Sequence, residues 1–353
     1  MSNAQSSTDD AVQPSTDTSE VVNSTTQMKT PPSLASRLRG ALYAHATLDA
    51  LGAPLEFQWR GSFPLLTTMQ PNSNFNLPAG CFTDDTSMAL CLAHSLLSTD
   101  AYYVEDQARR YIRWWREGYC SSVGRCFDIG MGTAGTLRAW EGALEEGRSS
   151  EEVLEVIGKR WGGERFCGNG SLMRVLPVAL LGFEGEAVEM ERVAEATSRV
   201  THPHVRCLLC CRLFVRLVGM ALEGKRKEEM AAAVGDFVWE VKNSDDAFVK
   251  RFVEYGGLAD WSNKSEDEIS SSGYVLDSLE AALWAFFTTD TLREGAIKVV
   301  NLGDDADTVG AIHGGLAGVF YGEEAIPAEW LSEMKGFEMV REVADKIVER
   351  VGT

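Results

Sequence analysis

Two short acidic runs hold the residues best suited to chemistry: Thr83-Asp84-Asp85-Thr86 and Asp304-Asp305-Ala306-Asp307-Thr308. Each stands just before an apolar stripe of helical period. Asp and Thr are good helix N-caps, but a cap needs one such residue, not two or three carboxylates. Adjacent acids repel and raise one another's pKa unless a cation compensates them. Carboxylate and threonine oxygens suit hard cations, Mg²⁺ or Mn²⁺, rather than zinc. Read singly, each run is a capped loop. Two of them in one helical domain point to a shared metal centre. A third feature is Gly168-Asn169-Gly170-Ser171. Gly-Asn-Gly marks a turn, and Ser171 can cap a helix that follows. Free N–H groups at such a helix start suit a diphosphate. Alone, the segment reads better as an ordinary helix-entry turn.

The elements that must position these residues are helical. Leu34, Leu38 and Leu42 are spaced by four, as are Met88, Leu92 and Leu96. Cys207, Cys210, Cys211, Phe214, Val215 and Val218 share one helix face, as do Val309, Ile312, Leu316, Val319 and Phe320. Val340, Val343 and Ile347 repeat the pattern. There is no alternating strand and no hairpin signal. The sequence therefore predicts an all-α fold, a compact single-domain bundle of about a dozen helices. Cys207-x-x-Cys210-Cys211 reads as core, because the thiols fall on an apolar stripe and no second Cys/His pair completes a zinc site. Gly310, Gly314 and Gly318 leave one helix face bare. Each mid-helix glycine costs roughly 1 kcal/mol relative to alanine. That cost is sensible if another backbone packs there and holds Asp305 and Asp307 against the Thr83 loop.

The 353 residues carry 33 Lys+Arg against 52 Asp+Glu, a formal charge of −19. Such an acidic balance argues against nucleic acid and against an anionic membrane surface, both held by clustered cations. No apolar run approaches the roughly 20 residues that span a bilayer. No secretory signal is evident, so the eight cysteines are expected as reduced thiols in an intracellular protein, cytoplasmic or nuclear. Residues 1–33 are rich in Ser, Thr, Gln, Asn and Asp and contain no aromatic residue. They are expected to form a disordered tail, with the catalytic domain over 34–353. A monomer is expected.

Five segments occur in an order that resembles the ADP-ribosylglycohydrolases of the dinitrogenase-reductase-activating type. They are Ala50-Leu51-Gly52-Ala53-Pro54-Leu55-Glu56-Phe57, Thr83-Asp84-Asp85-Thr86, Gly168-Asn169-Gly170-Ser171-Leu172-Met173-Arg174, Thr201-His202-Pro203 and Asp305-Ala306-Asp307-Thr308. The resemblance implies a compact helical fold with two Mg²⁺ or Mn²⁺ ions in a cleft. It implies hydrolysis of the glycosidic bond from ADP-ribose to an acceptor on protein. Carried over by motif, Thr83, Asp84, Asp85, Asp305, Asp307 and Thr308 resemble metal ligands. Glu56 resembles the acid that contacts a metal or the attacking water. Gly168, Asn169, Gly170 and Ser171 resemble a phosphate loop, and His202 a residue lining the ADP-ribose cleft. Cys126-Phe127-Asp128-Ile129-Gly130 resembles the segment near the scissile bond in the arginine-directed branch, so Asp128 and Gly130 become substrate-binding candidates. Three positions depart from the family pattern: Leu48 before Asp49, where glycine is common; His45, where a small residue is common; and Met131, where that branch has Asn.

The residues support this chemistry independently. Glu56, Asp84, Asp85, Asp305 and Asp307 brought together would need cations. Bound ions would acidify a water, and Glu56 or Asp85 would take its proton. Nearby anions stabilise oxocarbenium character at the anomeric carbon. Mono-ADP-ribosyl-arginine is the expected substrate. Serine-linked ADP-ribose, O-acetyl-ADP-ribose and a catalytically silent ADP-ribose binder are the alternatives.

Overall fold

Ser33 starts the first helix by accepting the Ser36 N–H on its hydroxyl at 3.2 Å. From there the computed structural model, which describes residues 31–98, 102–182 and 185–352, runs through fifteen α-helices among the described residues. They are α1 (Leu34–Gly52), α2 (Asp84–Leu97), α3 (Val104–Glu117), α4 (Met131–Glu145), α5 (Ser150–Trp161), α6 (Leu176–Gly182), α7 (Ala187–Arg199) and α8 (Val205–Leu222). There follow α9 (Lys227–Glu240), α10 (Asp246–Phe252), α11 (Val275–Phe287), α12 (Leu292–Val300), α13 (Ala306–Tyr321), α14 (Ala328–Glu333) and α15 (Phe337–Val351). The fold is all-α, as the sequence predicts, with isolated bridges only at Asn72–Leu77 and Gly168–Tyr274 among the described residues. The surplus over a dozen helices lies in α6, α10 and α14, of seven, seven and six residues. Two turns of helix are too short to show a periodic stripe.

Pro32–Thr353 form one compact unit. Residues 1–30 of the expected tail lie outside the described residues. The thiols of Cys207, Cys210 and Cys211 are buried in the core, and all eight cysteines are free. Among the described residues, no helix is long and apolar enough to cross a membrane.

The centre of the fold is the pair α1 and α13. Every residue from Gly40 to Gly52 and from Ala306 to Val319 is buried. The two helices run antiparallel with their backbones in contact. A Cβ added at Gly310 would lie 2.7 Å from Leu48 O, at Gly314 2.5 Å from Ala44 O, and at Gly318 2.0 Å from Gly40 O. At the other end a Cβ on Gly52 would lie 2.3 Å from Ala306 O. The bare glycine face thus meets a backbone, as its spacing predicts. The partner backbone is α1. This contact sets the C-terminal end of α1, with Asp49, beside the N-terminal end of α13, with Asp305 and Asp307.

Candidate active site

Helix α2 is capped by another helix. Thr83 occupies its N-cap position but makes no side-chain capping bond. Asp49 of α1 does this work instead. Its Oδ1 accepts the Thr83 N–H at 2.8 Å and lies 2.9 Å from the Thr83 hydroxyl. Its Oδ2 accepts the Thr86 N–H at 3.0 Å and the Thr86 hydroxyl at 2.6 Å. Asp84 and Asp85 are therefore free of the capping role. Asp305, the N-cap of α13, likewise makes no side-chain capping bond. The sequence marks Asp49 only as part of a departure from the family pattern. Its signal is a lone acid in an otherwise apolar helical stretch, and the groups it holds arrive more than thirty residues later.

Two further connections bring the remaining acids in. Phe57 N–H donates to Asp304 O at 2.7 Å, and Asp304 N–H to Gln58 O at 2.8 Å. The pairing requires left-handed backbone at Phe57 (φ 64°) and Asp304 (φ 57°). At Gly303 a Cβ would lie 2.5 Å from Gln58 O, so only glycine allows this approach. Glu56 is thereby fixed against the start of α13. The 167–169 segment runs alongside 273–275, with Asn169 N–H to Gly273 O at 3.1 Å and Val275 N–H to Cys167 O at 3.0 Å. The Asn169 amide donates to Asp305 Oδ2 at 2.6 Å and to Ser278 Oγ at 2.8 Å.

The carboxylates converge in two overlapping groups. Single oxygens of Glu56, Asp305 and Asp307 lie within 4.8 Å of one another, and so do those of Asp49, Asp85 and Asp307. Asp307 belongs to both. Burial, the neighbouring acids adding to it, pushes Glu56 up to about 9. Burial and neighbouring acids also hold Asp84, Asp85 and Asp307 well above the usual carboxylate range. Asp305 and Asp128 are raised by burial. Asp49 rises only to about 6, since its four hydrogen bonds oppose the desolvation. The Thr83 hydroxyl is 3.0 Å from Asp85 Oδ2 as well as bonded to Asp49. A hydroxyl has one hydrogen and cannot serve both carboxylates. Thr308 stands in the same position between Asp85 and Asp305.

Three buried oxygens, Glu56 Oε2, Asp85 Oδ1 and Asp307 Oδ1, have no hydrogen-bond partner. Unpaired buried charge is costly unless a cation or proton compensates it. A hard divalent cation fits this all-oxygen donor set. Asp49, with both oxygens occupied by donors, orients the centre rather than offering a free ligand.

The acids open onto a cleft of about 420 Å³. Glu56, Asp84, Asp305, Asp307 and Thr308 line it, together with Asp128, Gly130, Gly168, Asn169, Gly170 and His202. Thr83 and Asp85 are buried behind that lining. Ser171 does not reach it: the residue is 2% exposed, and its hydroxyl accepts the Ser198 hydroxyl at 2.8 Å. The helix expected after Ser171 does not begin there. Residues 170–174 form a turn, and α6 starts at Leu176. Asp128 caps no helix: Gly130 is the N-cap of α4, without a side-chain bond.

His202 is buried, and that burial pulls its pKa down to about 3. The ring is therefore neutral. Arg174 donates to Thr201 Oγ1 at 2.6 Å, and that hydroxyl lies 2.8 Å from His202 Nδ1. With the Thr201 hydroxyl donating to Nδ1, the ring proton is carried on Nε2. Nε2 stands beside the loop: a Cβ on Gly170 would meet it at 3.1 Å and Cε1 at 2.8 Å.

The chain matches known proteins along nearly its whole length. The profile described as ADP-ribosylglycohydrolase matches residues 30–353. The "ADP-ribosylarginine hydrolase Tri1" of Pseudomonas putida (strain GB-1) is 36% identical over 326 residues, covering 91% of this chain and 80% of the relative. The "ADP-ribosyl-[dinitrogen reductase] glycohydrolase" of Rhodospirillum rubrum is 30% identical over 329 residues, covering 92% and 99%. A solved structure named "ADP-ribosylglycohydrolase-related protein complex" superposes with a TM-score of 0.73 at 33% identity, covering 90% of this chain and 98% of that one. With its acids, glycine loop and His202 gathered at one cleft, the chain belongs to the ADP-ribosylglycohydrolase family.

Proposed function

We propose that this chain releases ADP-ribose from arginine side chains of modified proteins, with two Mg²⁺ (or Mn²⁺) ions as cofactors. The reaction is hydrolysis of the glycosidic bond between ADP-ribose and its acceptor. The observation that carries the arginine reading is Asp128. Its carboxyl lines the cleft, caps no helix, and is close enough to Glu56 and Asp84 to raise both. A guanidinium presents a planar fork of donors that suits a carboxylate. A serine acceptor brings no positive charge. The similar Pseudomonas putida protein, named an ADP-ribosylarginine hydrolase, supports the same reading.

Thr83, Asp84, Asp85, Glu56, Asp305, Asp307 and Thr308 would hold the ions. When bound, the ions would neutralise the acids and lower the pKa of a coordinated water. Glu56, with its unpartnered Oε2, takes the proton of the attacking water, with Asp85 the other candidate base. As the bond from the anomeric carbon to the acceptor nitrogen breaks, the surrounding carboxylates stabilise positive charge on the ribose. His202 Nε2–H and the backbone of Gly168–Gly170 serve the ADP-ribose side of the cleft. The protein is read as a monomer acting inside the cell, in the cytoplasm or nucleus.

The test is turnover of mono-ADP-ribosylated arginine and serine peptides, with and without Mg²⁺. Arginine-linked peptides should be cleaved faster, and only with the metal. Asp128→Asn should slow their turnover by more than tenfold, because a charge-assisted bond is worth about 1.5–3 kcal/mol. Faster cleavage of the serine linkage by the unmodified protein, or equal loss on both linkages in the variant, would defeat the arginine reading.

A further inference from the structure

Two apolar side chains that line this acidic cleft lie outside the core. Phe57 follows Glu56 directly, lines the cleft and is 66% exposed. It holds a left-handed backbone, φ 64°, that aromatic residues rarely adopt and that glycine adopts freely. The pairing with Asp304 dictates that conformation, and it would be satisfied equally by glycine. Yet this position carries a large ring that is mostly outside the core. Strain and exposure at one residue are sustained where the side chain serves a ligand. Met131 is the second. It begins α4 just after Asp128-Ile129-Gly130, lines the same cleft and is 92% exposed. Methionine is unbranched and adapts to the shape laid against it.

We infer that Phe57 and Met131 wall the acceptor subsite and hold the methylene stem of the ADP-ribosylated arginine while Asp128 pairs with its head. This rests on the arginine reading above and deepens it. The charged head and apolar stem of arginine are the two chemistries that the mouth presents side by side. Asp128 lines the same cleft as Glu56 and Asp84, which sets the gripped head beside the acids around the bond being cut. The Phe57 face also offers the guanidinium a cation–π contact. The two residues are specificity determinants, and they take no part in proton transfer.

The experiment compares two substrates with the same head. ADP-ribosyl-agmatine carries a methylene stem and ADP-ribosylguanidine carries none. The unmodified protein should favour the stemmed substrate by about tenfold or more in kcat/KM, the discrimination apolar contacts supply. In Phe57→Gly combined with Met131→Ser that preference should fall toward one, through KM rather than kcat. Affinity for free ADP-ribose, measured by calorimetry, should stay unchanged. Glycine suits the left-handed backbone at position 57, and Phe57→Tyr with Met131 intact should keep the preference. Equal kcat/KM for both substrates in the unmodified protein would overturn the stem subsite while leaving the arginine reading intact. So would a preference that survives the double substitution. Hydrolysis of neither substrate would remove the arginine reading and the subsite together.

Discussion

Two groups of buried acids in this molecule are built in opposite ways. On α11, Glu280 is 2% exposed, and each of its oxygens is answered by the chain. Oε1 accepts Lys264 Nζ at 2.8 Å and the Tyr255 hydroxyl, and Oε2 accepts Arg251 at 2.8 Å. Asp277 takes Arg251 on one oxygen and the Ser270 and Ser272 hydroxyls on the other. At the cleft, Glu56, Asp85 and Asp307 each keep a buried oxygen that nothing on the chain answers. Asp49 belongs with the first kind, since four donors satisfy it. Charges with a structural task are paired from within the chain. Those of the cleft are left open for something that binds.

The largest effect that sharpens this contrast is expected at Asp307, the acid shared by both groups. Asp307→Ala should lower hydrolysis by on the order of 10³-fold, the scale of losing a preorganised electrostatic group. In metal-free protein it should raise the thermal midpoint, because one repelling acid is gone. Near-native activity, or a lower midpoint without metal, would break the contrast. Glu280→Ala should do the reverse. Arg251 keeps Asp277 and Lys264 keeps Glu254, so losing the shared Glu280 should cost roughly 1.5–3 kcal/mol in denaturant titrations. Turnover per folded molecule should be unaffected.

A smaller effect is expected with pH. Glu56 has its ordinary value of 4.5 when unfolded and about 9 when folded. Between those values the native state keeps a proton that the unfolded chain has released, so rising pH favours unfolding. The contribution is whole below 4.5 and is lost as pH climbs through about 9. Calorimetry of metal-free protein should show a midpoint falling across this window. The fall should be shallower in Glu56→Gln and should flatten on addition of Mg²⁺. A midpoint that rises with pH in metal-free protein, independent of Glu56, would place the uncompensated charge elsewhere.

The sequence revealed what was locally anomalous. Asp84-Asp85 and Asp305-x-Asp307 stood out because helix capping does not need so many acids, and neither run turned out to be occupied in capping its own helix. The glycine spacing in α13 announced a close backbone, but no local pattern could say that α1 supplies it. Asp49 was invisible for the same reason: its meaning lies in Thr83 and Thr86, joined to it only by the fold. Ser171 misled in the opposite direction. Serine after Gly-Asn-Gly has the form of a helix cap, yet the turn continues to Arg174 and the hydroxyl is spent on Ser198. Strictly periodic helices were legible, and the two-turn helices were not.

The glycine seam between α1 and α13 also fixes when the protein can first act. During synthesis, α1, Glu56, Asp84 and Asp85 leave the ribosome early, and Asp128 and the 168–170 loop follow. Asp305, Asp307 and the seam that holds them against α1 come only after α12. Contacts so distant in sequence form late. A nascent chain stalled anywhere before α13 therefore owns most of the cleft and none of its completed charge. The two acidic runs can meet only after α13 has been made.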